Sequence, residues 1–208
     1  MDAIQVNIVD ANQEHNNYYQ QTNILGSGYN QRTDIISCGD VLPFQDNSID
    51  FVFSSHVLEH FYDPIKALKE WYRVIKKDGY IAMIVPHKER TFDKDRDRTT
   101  LNELIERHNK VKNYKYNVDE RGMHFSVWIT EDILELCKYL NMNVIEYLDV
   151  DDAVGNGFAI IIKKINHILI IKSYFIIFNS NNTRLFIQKY NKVYIYQKIL
   201  IVSYIIKK

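Results

Sequence analysis

Two short polar groups follow apolar runs in this 208-residue chain, and their residue types suit the binding of a polar organic ligand. Gly39-Asp40-Val41 comes after residues 33–37, and Ser54-Ser55-His56 comes after residues 49–53. Carboxylates, hydroxyls and imidazoles donate or accept hydrogen bonds, and a histidine exchanges protons near neutral pH. Asp46-Asn47-Ser48 lies between the two groups and is typical of a turn, because short polar side chains satisfy local backbone groups.

The apolar runs before these groups predict the strands that must position them. Residues 49–53 are apolar except for Asp50, as in a strand that is buried on both faces. Open parallel sheets bind their ligands at the carboxyl ends of the strands. The sequence therefore predicts that residues 54–56 border the ligand cleft. The alternatives are that Asp40 is only a turn residue and that His56 only packs in the interior.

Helices and strands alternate after this segment. Asp63-Pro64 indicates a helix start, with Asp as the N-cap and Pro in the first turn, and the helix is expected to end at residues 76–79. Residues 80–85 are predicted to form the next buried strand, and Thr130 is predicted to cap a second helix.

The last part of this pattern settles the predicted architecture. Residues 143–150 and 157–164 are interpreted as a hairpin that forms an antiparallel edge of the sheet. Together with the alternating helices and strands, this predicts an α/β fold, a Rossmann-like sheet with helices on both faces.

The segment from Gly39 to His60, GDVLPFQDNSIDFVFSSHVLEH, resembles the central signature of class I S-adenosylmethionine-dependent methyltransferases. The resemblance is closest to the methyltransferase type 11 group, and it covers about residues 6–164. In that family, an acid after the third strand contacts the adenine of the cofactor, and the turn after the fourth strand lies beside the sulfonium. The resemblance implies methyl transfer from S-adenosylmethionine.

The resemblance also assigns cofactor contacts. Residues 5–10 are similar to the family's second strand, whose terminal acid holds the ribose, since a carboxylate accepts two hydrogen bonds from a vicinal diol. The acid at the third strand and the backbone after it hold adenine, and the turn at residues 54–56 borders the methionine part. The implied cofactor-binding residues are Asp10, Asp40, Val41, Ser54, Ser55 and His56.

The family's first strand and its glycine-rich loop have no counterpart before residues 5–10. We therefore expect a chain that is incomplete at its N-terminus, with the first strand missing. Gly26-Ser27-Gly28 lacks the strand–loop–helix context of that loop and is interpreted as a surface turn. The alternative to an enzyme is a truncated, non-catalytic domain that acts as an interaction module or is a degenerate gene product.

A general base is needed only if the methyl acceptor must lose a proton, because the cofactor supplies the reactive group. His87, at the end of the strand at residues 80–85, and His56 are the catalytic candidates, and His60 follows them. Packing or hydrogen bonding is the alternative for each. His60 is expected one helical turn after His56, so that one of the two rings points away from the cleft. The expected acceptor is a small molecule or a glycan-like compound.

Charge is distributed unevenly along the chain, although the formal net charge is zero. Residues 165–208 contain seven basic residues and no acidic residue, so residues 1–164 are acidic by the same amount. An acidic body argues against a nucleic-acid partner. The predicted units are a methyltransferase-like domain at 1–164 and an Ile/Tyr/Lys/Asn-rich tail at 165–208.

The tail has no glycine or proline and therefore lacks the usual turn signals. It is interpreted as added β-rich segments, as a membrane-surface patch, or as AT-rich sequence that was never selected to fold, and we favour the last. No apolar run reaches the roughly 20 residues that cross a bilayer. Cys38 and Cys137 are far apart and no metal-binding Cys/His spacing occurs, so no metal site is expected. Two cysteines without a signal peptide suit a cytoplasmic protein.

Overall fold

A single mixed sheet runs through the residues that the computed structural model describes, which are 3–7, 34–110, 114–115, 123–152, 154–165 and 199–203. Its strands are β1 (Ala3–Asn7), β2 (Ile35–Ile36), β3 (Ile49–Ser55), β4 (Ile75–Pro86), β5 (Asn143–Leu148), β6 (Gly157–Lys163) and β7 (Ile199–Ser203). The α-helices are α1 (Pro64–Val74), α2 (Leu101–Lys110) and α3 (Thr130–Tyr139), with 3₁₀ turns at Leu58–His60 and Lys88–Arg90. None of these helices is long and apolar enough to cross a membrane.

The strands lie in the order β2-β1-β7-β3-β4-β6-β5. The first five strands in this order, from β2 to β4, are parallel to one another, whereas β6 is antiparallel to both β4 and β5. The predicted Rossmann-like α/β fold is confirmed, and so is the antiparallel hairpin at its edge. Because β1, β2, β3 and β7 are parallel, their carboxyl ends meet at one edge of the sheet.

β7 lies between β1 and β3 and pairs with both of them in parallel. In the doubly wound strand order 3-2-1-4-5, this place belongs to the first strand. Five residues of the predicted tail therefore occupy the position of the strand that was expected to be missing. For these residues, the prediction of a tail that was never selected to fold is wrong. The rest of the tail after residue 165 lies outside the described residues.

α1 begins as predicted but ends earlier. The Asp63 carboxylate accepts a hydrogen bond from the Lys66 backbone N–H (3.0 Å), so Asp63 is the N-cap. The helix ends at Val74 and β4 follows at once, which makes residues 76–79 part of the strand rather than the helix end. Position 79 requires a glycine because β3 approaches closely. A Cβ on Gly79 would lie 2.6 Å from the carbonyl oxygen of Asp50.

α3 is capped differently from the prediction. Ile129 is its N-cap residue, and the Asp132 carboxylate in the first turn accepts a hydrogen bond from the Ile129 N–H (2.9 Å). Thr130 is the first helical residue, and its hydroxyl donates to Asp149 instead. Cys137 is fully buried on the inner face of the helix, as its place on the apolar stripe predicts. A core of apolar side chains from the sheet and the helices surrounds it.

Candidate functional site

The polar groups predicted to bind a ligand lie at the carboxyl edge of the sheet. Asp40 follows β2, while Ser54 and Ser55 end β3. Their strands belong to the parallel half of the sheet, so the carboxyl ends of both strands lie at the same edge. Asp10 lies outside the described residues, as do the glycines at 26 and 28, and the ribose-binding role of Asp10 stays a prediction.

The turn that carries Asp40 is fixed by two contacts with α1. Asp40 is 8% exposed, and its Oδ2 accepts a hydrogen bond from the Lys66 ammonium at 3.0 Å. The indole of Trp71 donates to the carbonyl oxygen of Gly39 at 2.8 Å. The Val41 N–H is used within the turn, where it donates to the Cys38 carbonyl at 3.1 Å. Adenine binding by the Val41 backbone would therefore require this bond to be shared or broken.

Ser54 places a polar atom in the interior of this edge. The residue is 1% exposed, and within the described part of the chain its Oγ is buried with no hydrogen-bond partner. Buried polar atoms without a partner are few in folded proteins, and each calls for an explanation such as an ion or water. Ser55 is only partly buried. Both serines are thus positioned at the edge where the ligand is expected.

His56 turns out of β3 with a left-handed backbone, at φ 53°. Its N–H donates to the Ile84 carbonyl (2.9 Å), which holds this conformation, and its Nδ1 lies 3.9 Å from Oε1 of Glu59. Burial lowers the pKa of His56, and the charge of Asp151 opposes this effect. The imidazole is therefore neutral at neutral pH and has a lone pair available for a proton.

His87, the other catalytic candidate, has mainly structural contacts. It is 5% exposed, its Nδ1 accepts a hydrogen bond from the Glu89 N–H (3.2 Å), and its ring meets the Phe158 ring edge-on at 6.0 Å. Burial lowers its pKa, as does the nearby charge of Arg90. These contacts match the packing alternative, and a catalytic role for His87 stays a prediction.

A buried group of three side chains, which we call the Glu59 cluster, was not predicted: it consists of Glu59, His60 and His124. Oε1 of Glu59 lies 3.6 Å from Nε2 of His60 and 4.0 Å from Nε2 of His124. The two imidazole rings meet edge to face, with their centroids 4.9 Å apart. The sequence predicts an α-helical turn from His56 to His60, with one of the two rings pointing away from the cleft. Both rings approach the same carboxylate oxygen, because residues 58–60 form a 3₁₀ turn rather than an α-helix.

Backbone hydrogen bonds bring His124 to this turn from far along the chain. The carbonyl oxygen of Glu59 accepts from the N–H of Phe125 at 2.8 Å and of Ser126 at 3.4 Å. The Arg107 guanidinium on α2 donates to the Phe125 carbonyl and to the Ser126 hydroxyl. The segment after residue 123 is therefore attached on one side to the 3₁₀ turn and on the other to α2.

The second nitrogen of each cluster imidazole has its own partner. Nδ1 of His60 lies 2.9 Å from the carbonyl oxygen of Met123, and a carbonyl only accepts, so this nitrogen carries the proton. Nδ1 of His124 lies 2.5 Å from Oδ2 of Asp93, which is 2% exposed and is also bound by Arg96. When the rings are neutral, both Nε2 lone pairs therefore face Glu59.

Burial controls the ionisation of the cluster. It raises the pKa of Glu59 to about 8, and the charge of Asp93 adds to this effect. It lowers the pKa of His60 to about 4. Glu59 is 1% exposed, and neither carboxylate oxygen has a hydrogen-bond partner among the described residues. Near neutral pH, the Glu59 carboxyl group is thus protonated and the His60 imidazole is uncharged.

Comparison with known proteins identifies the framework around these groups. Residues 5–83 match a family model described as a methyltransferase domain. This part of the chain is therefore similar to methyltransferase domains. The match includes the turn at Asp40 and the whole of β3, and it ends within β4, before the segments that supply Asp93 and His124.

A curated relative resembles a short part of this chain. Malonyl-[acyl-carrier protein] O-methyltransferase from Marinomonas sp. (strain MWYL1) is 48% identical over 47 residues. That match spans 22% of this chain and 17% of the relative.

Solved structures similar to this chain include two described as S-adenosylmethionine-dependent methyltransferases. The one from Methanosarcina mazei is 17% identical at a TM-score of 0.46, over 78% of this chain and 82% of its own. The one from Aquifex aeolicus is 18% identical at a TM-score of 0.45, over 79% of this chain and 82% of its own.

Proposed function

We propose that the methyltransferase domain transfers a methyl group from S-adenosylmethionine to an oxygen of a small-molecule or glycan-like acceptor. The observation that carries this proposal is the shared carboxyl edge, where Asp40 follows β2 and residues 54–56 follow β3. Open parallel sheets bind ligands at this edge. The family match covers both groups.

The residues that the family resemblance assigns divide the binding of the cofactor between them. Asp40 accepts a hydrogen bond from the adenine amino group, while Lys66 holds its carboxylate in place. Asp10 holds the ribose hydroxyls. Ser54 and Ser55 border the methionine part, for which the buried Ser54 hydroxyl is a suitable donor. The bound cofactor supplies an electrophilic methyl group, so the domain has mainly to position the acceptor and exclude water.

His56 is the base for an acceptor hydroxyl in this proposal. Its lowered pKa keeps the ring neutral, so that it takes the hydroxyl proton as the oxygen attacks the methyl carbon and the carbon–sulfur bond breaks. The Marinomonas relative is named as an O-methyltransferase, and we extend only the oxygen as the accepting atom to this chain. His87 remains the second candidate for the base.

The alternative function is an interaction module that no longer binds the cofactor. It is favoured by the sequence after β7, because a glycine-rich loop is expected after the strand in this place, and residues 204–208 contain no glycine. In that case Asp40 and its Lys66 partner only stabilise the turn.

Calorimetric titration of the folded protein with S-adenosylmethionine and with its demethylated product, S-adenosylhomocysteine, distinguishes the two functions. The enzyme binds both compounds with a measurable heat. A protein that is folded by circular dichroism but gives no heat with millimolar cofactor is the interaction module. Transfer of a radiolabelled methyl group to candidate hydroxyl and carboxyl acceptors then tests the reaction itself.

A further inference from the structure

We propose that the Glu59 cluster binds a divalent transition-metal ion, with Glu59, His60 and His124 as its ligands and zinc as the ion that best suits this donor set. Two imidazole nitrogens and one carboxylate oxygen, with one position left open, form a known type of zinc site. The same set is also used by iron(II). The proposal concerns binding and does not depend on the proposed methyl transfer.

The geometry of the cluster is close to that of a coordination shell. One ligand atom from each residue lies within 4.8 Å of the other two. Zinc ligands at about 2.0–2.2 Å from a tetrahedral ion lie roughly 3.3–3.5 Å from one another. The distances of 3.6 Å and 4.0 Å from Glu59 to the two imidazoles need only a small contraction to reach that range.

The partners of the imidazoles also match a metal site. Histidines that bind a metal through one nitrogen usually donate the other N–H to a carboxylate or a carbonyl, which fixes the tautomer. His60 does this with the Met123 carbonyl, and His124 does it with Asp93. Both Nε2 atoms are thereby directed at Glu59 as lone-pair donors.

Glu59 gives an independent argument for a cation. Its carboxyl group is buried, both oxygens lack a hydrogen-bond partner among the described residues, and Asp93 places a further carboxylate close by. A buried polar group without a partner is destabilising by about 1–3 kcal/mol, and by more when it is charged. A divalent ion would satisfy the carboxylate and balance the charge of Asp93 at the same time.

The turn at residues 54–56, at the proposed cofactor edge, adjoins this site through His56. His56 Nδ1 lies 3.9 Å from the oxygen that the other two histidines approach, and His56 is the most exposed of these histidines, with 29% of its side chain accessible. A ligand entering from the turn at residues 54–56 therefore reaches the fourth position of the ion. If the proposed function holds, that ligand is the acceptor oxygen, whose pKa the ion lowers.

The test is metal titration of the full-length protein, prepared without a histidine tag and freed of metal with a chelator. Zinc is added in competition with a chromogenic chelator, and cobalt is added separately because its visible absorption reports its coordination. We expect one equivalent of zinc per chain and a cobalt spectrum typical of nitrogen and oxygen ligands.

Variants assign the ligands. Glu59→Gln and His124→Asn are expected to abolish stoichiometric binding. Asp93→Asn retains all three ligands and is expected to weaken binding by 10- to 100-fold, as is usual for residues that orient a ligand. His108→Asn is the matched control, because His108 also pairs with a buried carboxylate, Asp63, but lies outside the cluster. It should leave the affinity unchanged.

Two results would overturn the proposal. The first is that neither zinc, cobalt, iron(II) nor manganese binds to the folded protein at one equivalent. The second is that Glu59→Gln and His124→Asn, shown to be folded by circular dichroism, bind zinc as tightly as the unchanged chain. Either result would leave the cluster as a neutral carboxyl group packed against two imidazoles.

Discussion

The Asp40 carboxylate and the Lys66 ammonium form an ion pair, with Oδ2 and Nζ 3.0 Å apart. The pair joins the turn after β2 to the first turn of α1, and only 9% of the Asp40 side chain is exposed. The acid assigned to adenine is therefore already held in one orientation. Such fixed groups lose little freedom when a ligand binds.

Asp40→Asn is expected to weaken S-adenosylmethionine binding by roughly 10- to 100-fold, because a hydrogen bond to a charged group contributes about 1.5–3 kcal/mol. Asp46→Asn is the control, since Asp46 lies in the same loop but is 68% exposed and pairs with Arg73. Calorimetry compares the two affinities. Equal effects would mean that Asp40 is only a turn residue.

Lys66→Met is expected to reduce the free energy of unfolding by about 1–3 kcal/mol, because it leaves the Asp40 carboxylate buried without its cation. Lys76→Met removes a comparable pair with Asp50, but Lys76 is 47% exposed, and its loss should cost under about 1 kcal/mol. Urea denaturation measures both. If Lys76→Met reduced the free energy of unfolding more than Lys66→Met, the burial of Asp40 would not contribute to stability.

The free energy of unfolding of the metal-free protein is expected to fall as the pH rises from about 6.5 to 8. Folding raises the pKa of Glu59 from 4.5 to about 8, so the folded state keeps a proton in this range that the unfolded state has lost. Stability therefore declines by up to about 1.4 kcal/mol per pH unit, and by less as the pH approaches 8. Between 4.5 and 6.5, His60 opposes this trend, because its folded pKa is lowered from 6.5 to about 4.

Glu59→Gln should remove the decline above pH 6.5. Glu103→Gln, which changes an exposed glutamate on α2, should leave it in place. Chemical denaturation at a series of pH values in the presence of a chelator makes the comparison. If Glu59→Gln and the unchanged chain have the same pH dependence, Glu59 is ionised in the folded state.

One of the two thiols is expected to react with a disulfide reagent at pH 8 in the native protein. Burial raises the pKa of Cys137 to about 12, so almost none of it is thiolate, whereas Cys38 is only partly buried. Cys38→Ser should therefore abolish the fast reaction until the chain is unfolded. Two fast equivalents in the native protein would contradict the burial of Cys137.

Ile201→Pro is expected to destabilise the protein by about 3 kcal/mol or more, because proline removes a backbone N–H within a central strand. Ile201 is paired with Gln5 on one side and with Phe53 on the other. Ile145→Pro is the control, because Ile145 lies at an irregularity of the edge strand β5. This substitution should reduce the stability by less than Ile201→Pro. The midpoints of thermal unfolding of the two variants are compared with that of the unchanged chain. An unchanged midpoint for Ile201→Pro would show that β7 is not part of the sheet.

The sequence predicts best the features that depend on neighbouring residues. The N-cap at Asp63 and the hairpin of β5 and β6 arise from local chemistry, and both are confirmed. The early end of α1 is different, because the cations after Val74 look like a helix end. There, the chain enters β4 at Ile75, which pairs with Ile49 of β3, and this pairing outweighs the local signal.

The Glu59 cluster was missed because its members are far apart in the chain and lie in polar segments. Asp93 stands in a densely charged stretch that suits a solvated loop, yet it is 2% exposed. His124 follows a polar stretch without helical or strand periodicity. A search for metal sites by short Cys/His spacing cannot find ligands that only the folded chain brings together. β7 was missed for a related reason, since its apolar residues do not differ from the rest of the Ile-rich tail.

The place of β7 has a consequence for how this chain reaches its native state. β1 pairs with β7, which lies roughly 200 residues further along the polypeptide. Contacts between residues so distant in the chain slow folding. During synthesis, β1 and β3 emerge from the ribosome long before β7 and present unpaired edges on either side of an open gap. Unpaired strand edges favour association between chains. We therefore expect the nascent protein to depend on chaperones until its last described strand has entered the sheet.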